Sequence, residues 1–275
     1  MTPDSPSRSG AADTRTTDTG TAADYSSYLQ LDALLALQRP LSHPEHPDEL
    51  LFIVVHQASE LWFKVILHEM ETLFQLLGGD DPLAAVFSVQ RINALMRIVT
   101  DQLSALDTLP PQRFAEFRGL LGSSSGSQSG QFRALEAAAG VRDEHFLHAI
   151  TEHGDPPAIV RRWLDRPTLQ SLYERLLERH HTTLEAVYGN RAQSPLFMLA
   201  EALLAFEQGF ARWRFLHVQL VERIIGPATA GTGGTLGARY LQRTVSQRFF
   251  PRLWEVRARF FGSAGHGATA EGGTP

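Results

Sequence analysis

His217 is the residue whose type and position first suggest chemistry. From Leu196 onward, Leu196, Leu199, Leu203, Phe206, Phe210, Trp213, His217, Leu220 and Ile224 recur at alternating steps of three and four. That spacing sets them on one stripe of a single helix, the stripe that faces a partner or a core. Burying an imidazole there with nothing against its ring nitrogens costs roughly a few kcal/mol. Two partners are open: a polar group from a neighbouring helix, or a metal, for which His is a common ligand.

Two further residues compete for a role beside it. His56 follows the apolar run Leu51–Val55, and His56, Glu60, Lys64 and His68 recur every four positions. Their helix reads as apolar nearly all round and deeply buried. The polar stripe is explained by ion pairs between turns, or by His56 lining an internal polar pocket opposite His217; spacing favours the ion pairs. Arg118 stands among Phe114, Phe117, Leu120 and Leu121. A guanidinium against an apolar wall needs an anion, either an internal carboxylate or a bound one that its fork grips bidentately.

Other metal arrangements fail on spacing. A carboxylate-bridged di-iron bundle needs two Glu-x-x-His pairs, and only Glu178 with His181 fits, in the charged stretch ERLLERHH of a solvated face. A zinc-protease helix needs His-Glu-x-x-His, but His68–Glu69 is followed by Thr72. The loop His43–Glu49, HPEHPDE, offers His-x-carboxylate pairs but is proline-broken and reads as a polar surface loop.

The elements that must position these groups are helices. Long ones are expected over about 48–77, started by Asp48 and ended by Gly78–Gly79, and over about 88–106, stopped by Pro110–Pro111. Two more are expected over about 168–188 and 195–225. Shorter helices fall near 28–38, 111–121, 129–138 and 236–260, and no segment shows the alternation of a strand. The fold class is therefore all-α, a helical bundle-like single domain over 23–261. Residues 1–22 and 262–275 are too polar and small to fold, and are expected to be a disordered leader and tail. Two glycine-rich loops, GSSSGSQSG at 122–130 and GTGG at 231–234, serve as linkers or as ligand cradles; neither is a phosphate loop, because no Gly-Lys-Ser/Thr follows.

Composition narrows the chemistry. The 275 residues hold no cysteine, which removes disulfides, zinc–thiolate sites, iron–sulfur clusters and thiolate-ligated haem. A formal charge of -5 gives no basic footprint for nucleic acid. The strongest apolar run, Leu50–Val55, is far too short for a bilayer, and the N-terminus lacks a signal-peptide pattern, so the expected location is cytoplasmic, away from membranes.

The segments YSSYLQLDALLALQRPLS (25–42), ELLFIVVHQASELWFKVILHE (49–69), FRGLLGSSSGSQSGQFRALE (117–136), WRFLHVQLVERIIG (213–226) and GTGGTLGARYL (231–241) together resemble the tryptophan 2,3-dioxygenase family. The resemblance spans nearly all of 25–261. It implies an all-helical subunit with an internal pocket for one haem b, assembled as a homotetramer. L-Tryptophan and O2 would be the substrates and N-formyl-L-kynurenine the product, at the entry to the kynurenine pathway.

Residue by residue, His217 matches the proximal haem ligand and His56 the distal histidine that accepts the indole N–H. Phe52 matches the aromatic packed on the indole, Arg118 the partner of the substrate carboxylate, and Ser125 a serine near the haem. Thr232 matches the threonine holding the amino-acid end. Tyr25, Tyr28 and Leu29 match a segment closing a neighbouring subunit's site. The chain also departs from the family pattern. Phe114 stands where bacterial members commonly carry a tyrosine whose hydroxyl touches the substrate carboxylate, and Ser127 replaces a phenylalanine. The stretch between Glu136 and Pro195 is shorter than usual. These changes leave two alternatives: a related haem oxygenase acting on a substituted tryptophan, or a haem-binding sensor that is no enzyme. Arg118 with Thr232 speaks against the second.

Overall fold

The computed structural model describes residues 24–151, 154–190, 194–227 and 238–264. Among them run α1 (Tyr25–Leu29), α2 (Leu31–Leu35), α3 (Glu49–Gly79), α4 (Pro82–Asp101), α5 (Pro111–Arg118), α6 (Gly130–Ala139) and α7 (Glu144–Thr151). They continue with α8 (Ala158–Leu164), α9 (Leu169–Arg179), α10 (Leu184–Gly189), α11 (Pro195–Ile225), α12 (Ala238–Val245) and α13 (Pro251–Ala264). Among the described residues there are short 3-10 turns between some of these helices and no strand. The chain divides at Arg39–Pro40 into two units. The leader (1–22) and the GTGG loop lie outside the described residues.

The described part of the first unit is α1 and α2, which bury no side chain. Asp24 caps α1 by accepting the Ser27 amide at 2.8 Å. Gln30, at a left-handed φ of 53°, breaks the expected single helix in two.

In the second unit, α11 begins and ends where the apolar seam implies. Ser194 accepts the Phe197 amide at 3.2 Å, Pro195 fills the first turn, and Gly226 leaves the helix at a φ of 85°. Leu196, Leu199, Leu203, Phe206, Phe210 and Leu220 of the seam are buried, each contributing about 1.5–3 kcal/mol by leaving water. The seam's largest helix interface is with α4, which in turn packs against α3. Glu207 fastens the C-terminal end of the chain to α11. Its buried carboxylate accepts the Phe249 and Phe250 amides at 2.6 and 2.9 Å, the Trp254 indole N–H at 2.6 Å and Arg248 at 3.0 Å.

Several expectations need correction. Gly78 and Gly79 stay inside α3, and the turn is made by Asp80 at a φ of 68°. Asp48 precedes α3 without a side-chain cap, because its carboxylate pairs with Arg113 at 2.6 Å. The second helix starts at Pro82, where Asp81 caps it, and gives way to a 3-10 turn over Gln102–Thr108. The expected helix over 168–188 is two helices, parted where His181 takes a φ of 49° and Thr183 caps α10. The C-terminal pattern also splits, and α13 runs to Ala264, past the expected start of the tail. Helices α7 and α8 occupy the stretch that sequence reading left blank.

Helix α3 is not deeply buried all round: Leu50, Val54, Leu61 and Val65 are exposed. By length and composition alone, α3 and residues 82–108 also meet the requirement for a membrane span, although each is broken by polar residues. In this fold both helices contribute to the main core through Phe63, Ile66, Met70, Ile92 and Met96.

Candidate active site

Between α3, α5, α6, α11 and α12 lies a cavity of about 260 Å³, and most of the residues singled out by sequence line it. Phe52, His56, Phe114, Arg118, Ser125 and His217 all face this one space.

Helix α3 supplies the first wall. The Nδ1 of His56 lies 2.7 Å from the carbonyl oxygen of Phe52, one turn back. A carbonyl only accepts, so Nδ1 carries the proton and Nε2 keeps its lone pair. The Phe52 ring sits 4.3 Å from the His56 ring and 5.4 Å from Phe114. Although the His56 ring is open to the cavity, the surrounding walls displace water, and this desolvation lowers its pKa below the ordinary 6.5. The Phe52 carbonyl and Glu60 oppose that shift in part. The stripe running on from His56 is not an ion-pair ladder. Glu60 lines the cavity and accepts from Gln131 at 2.8 Å, while Lys64 and His68 are exposed.

The loop before α3 holds α5 in place, and this is where the polar-surface reading of His43–Glu49 fails. Glu49 is buried and accepts from Ser42 and from the Leu41 amide at 2.7 Å. His46 Nδ1 accepts the Asp48 amide at 3.2 Å, so its Nε2 donates to Glu116 of α5 at 3.0 Å. The His46 ring rests 5.1 Å from Phe117. With the Asp48–Arg113 ion pair, these contacts set the helix that presents Phe114 and half-buried Arg118 to the cavity.

The first glycine-rich loop forms another wall. Gly122 turns at a φ of 56°, where a side chain would be strained. Ser125 then caps a 3-10 turn over Gly126–Gln128 in a capping box with Gln128. The hydroxyls of Ser125 and Ser127 are 2.9 Å apart, and both residues line the cavity. Ser129 caps α6 by accepting the Phe132 amide at 3.1 Å.

From α11, the His217 ring stacks on Trp213 at 5.0 Å and 12°, and Trp213 packs on Phe132 at 4.6 Å. Desolvation by these walls, with a smaller effect of His56, pushes the His217 pKa down to about 4, so the imidazole is neutral and its lone pair available at neutral pH. Among the described residues no hydrogen bond satisfies it, and no group of three His, Asp or Glu is placed to hold a metal ion.

Thr232 lies outside the described residues, and Tyr25, Tyr28 and Leu29 are exposed on α1. Sequence reading missed a buried charged cluster in the wall: Arg133, Glu136 and Arg214. Its trace was present, because Arg133 and Glu136 stand three apart on one helix and Arg214 adjoins the seam at Trp213.

A sequence model described as tryptophan 2,3-dioxygenase matches residues 9–156 and 158–260. The chain belongs to the tryptophan 2,3-dioxygenase family. The tryptophan 2,3-dioxygenase of Kineococcus radiotolerans is 38% identical over 281 residues, covering 90% of this chain and 98% of the relative. That of Herpetosiphon aurantiacus is 40% identical over 265 residues, covering 86% and 98%. The Caulobacter vibrioides tryptophan 2,3-dioxygenase is 38% identical over 259 residues, covering 86% and 97%. Family membership thus extends across the stretch between Glu136 and Pro195 and the helices α7 to α10 within it.

Proposed function

We propose that this chain catalyses the reaction its family is named for, the cleavage of the indole C2–C3 bond of L-tryptophan by O2 to N-formyl-L-kynurenine. The observation that carries the reading is the pairing of His56 and His217 on walls of one cavity.

A haem b group fits the residues present. With no cysteine in the chain and no cluster of protein ligands among the described residues, a metal here would take most of its ligands from a cofactor. His217 offers one neutral imidazole, oriented by Trp213, to a cavity with apolar walls at Phe63, Leu106, Phe132 and Leu220. His217 would hold the haem iron through that imidazole. When bound, haem supplies the iron that activates O2.

The remaining work belongs to side chains. His56 Nε2 accepts the indole N–H and fixes the ring's orientation. Phe52 packs against the indole, and Phe114 closes that wall by packing alone. Arg118 grips the substrate carboxylate bidentately. Ser125 borders the same space, and Thr232 holds the amino-acid end. Fixing both ends of the substrate lowers the entropy still to be lost in reaching the transition state; such positioning is worth several kcal/mol, up to about 7–11. His56 acts here by orienting.

The active form is a cytoplasmic homotetramer in this reading. Support for assembly comes from the exposed apolar side chains Leu50, Val54, Leu61 and Val65 on α3, and from Tyr25, Tyr28 and Leu29 on α1, which would close a neighbour's site. The deciding experiment is mass spectrometry of the product formed from L-tryptophan and labelled O2 by reduced, haem-loaded protein. N-formylkynurenine carrying both labelled atoms is expected; no product, or one labelled atom, would overturn the reading.

A further inference from the structure

In the wall of the cavity, three charged side chains join elements that are distant in sequence. Glu136 of α6 is 1% exposed and bridges two guanidiniums: Arg133 at 2.8 Å and Arg214 at 2.6 Å. Arg214 lies one turn before His217 on α11 and also donates to the Thr244 carbonyl of α12 at 2.9 Å. Arg133 reaches the other way, its Nε donating to the Ser127 carbonyl at 3.3 Å. The cluster therefore ties the imidazole-bearing helix to the serine loop, and the loop meets it through Arg133.

Among the described residues, the side chains of the loop make few hydrogen bonds outside it. Ser125, Ser127 and Gln128 bond mostly to one another and to Ser123, and no large apolar side chain stands between Gly122 and Gly130. Burial of a charged cluster is by itself weak evidence for stability, because desolvation of the ions offsets most of their attraction. Its value here is geometric: a planar guanidinium fixed on two sides by Glu136 and Ser127 gives the loop one position.

We infer that Arg133 is a positioning residue that fixes the Ser125–Ser129 wall of the cavity against α6, and through Glu136 and Arg214 against α11. For substrate binding this rests on the functional reading above; for the order of the loop it does not.

The test compares Arg133→Lys and Arg133→Met with Glu207→Gln, a buried carboxylate that does not line the cavity. Lysine can keep the ion pair to Glu136 but cannot hold Ser127 as well. Three quantities are read in the full-length protein: melting temperature, amide hydrogen exchange of the 122–130 segment without substrate, and KM and kcat for L-tryptophan. Arg133→Lys is expected to melt near wild type while its loop exchanges about tenfold faster and KM rises about tenfold, as for one lost charge-assisted bond. Its kcat should stay within about twofold, since only ground-state and transition-state binding alike are weakened. Arg133→Met should show the same loop exchange with a lower melting temperature. Glu207→Gln should lower the melting temperature and leave KM and loop exchange alone. Wild-type loop exchange in the Lys variant, or in the Met variant should the Lys variant not fold, overturns the inference. If wild type makes no product from tryptophan, the functional reading falls and the exchange measurement still decides the role of Arg133.

Discussion

His56 donates its Nδ1–H to the carbonyl of Phe52 at 2.7 Å, and this bond decides what the other ring nitrogen can do. With Nδ1 protonated, Nε2 is an acceptor facing the cavity, matched to the N–H of an indole. The same turn of helix brings Phe52 to 4.3 Å from the imidazole, so the packing surface and the acceptor are set by one piece of backbone.

His56→Ala should therefore erase discrimination between L-tryptophan and its 1-methyl derivative, which has no indole N–H. Wild type should favour tryptophan by about tenfold, the worth of one well-made bond. The pH dependence follows from the lowered pKa. Desolvation lowers the His56 pKa from its ordinary 6.5, so efficiency should hold through 6.5 and fall as pH drops below it. An acid limb unchanged in His56→Ala would assign it to another group.

Haem retention should depend on His217. It stacks on Trp213 at 5.0 Å, and its replacement by Ala leaves the cavity without an imidazole on α11. Purified His217→Ala should lose stoichiometric haem and its Soret band, with recovery on adding free imidazole. Full haem occupancy with an unchanged spectrum would remove His217 as the ligand.

Much of this site was legible in the residues. The step of three and four from Leu196 to Ile224 located α11 to both ends, because caps and an apolar period act locally. His56 was harder. The spacing of its stripe favours ion pairs along a helix, and only the cavity overturns that reading. The HPEHPDE loop read as solvated because proline and charge dominate it, yet Glu49 and His46 turn inward to amides and to α5 that lie outside the local sequence. The same limit hid the Arg133–Glu136–Arg214 cluster, which spans 78 residues between Glu136 and Arg214. The break at His181 was missed because the apolar pattern continues through it on both sides.

Glu49 gives a stability prediction. Burial alone would raise its pKa, but the hydrogen bonds from the Ser42 hydroxyl and from the amides of Leu41 and Ser42 outweigh burial and hold it below 4.5. A folded pKa below the unfolded one means that the stabilisation is complete above about 4.5 and lost as pH falls through the folded value. Glu49→Gln should cost about 2 kcal/mol at neutral pH, and the gap to wild type should narrow as pH drops below 4.5. Denaturant melts at several pH values measure it. A gap that stays constant with pH would mean the carboxylate's charge is irrelevant.

The substrate carboxylate provides the sharpest test of the cavity's orientation. Arg118 and Phe114 sit one turn apart on α5, and both line the cavity. Phe114 packs on Phe52 at 5.4 Å and on Phe117 at 5.3 Å, and it has no hydroxyl to offer. In the proposed reading the carboxylate clamp of α5 would therefore rest on Arg118, whose charge-assisted bonds are about twice as strong as neutral ones. Arg118→Ala should lower kcat/KM for L-tryptophan at least about a hundredfold, or about 3 kcal/mol. Phe114→Tyr should add a hydrogen bond and improve efficiency several-fold, in line with about 1 kcal/mol. Steady-state formation of N-formylkynurenine by the three proteins decides this, with tryptamine as the substrate lacking a carboxylate. Tryptamine should be turned over poorly by wild type and should lose little further in Arg118→Ala, because the contact removed is one it never makes. If wild type handles tryptamine as well as tryptophan, or if Arg118→Ala matches wild type, the amino-acid end of the substrate lies elsewhere in the cavity.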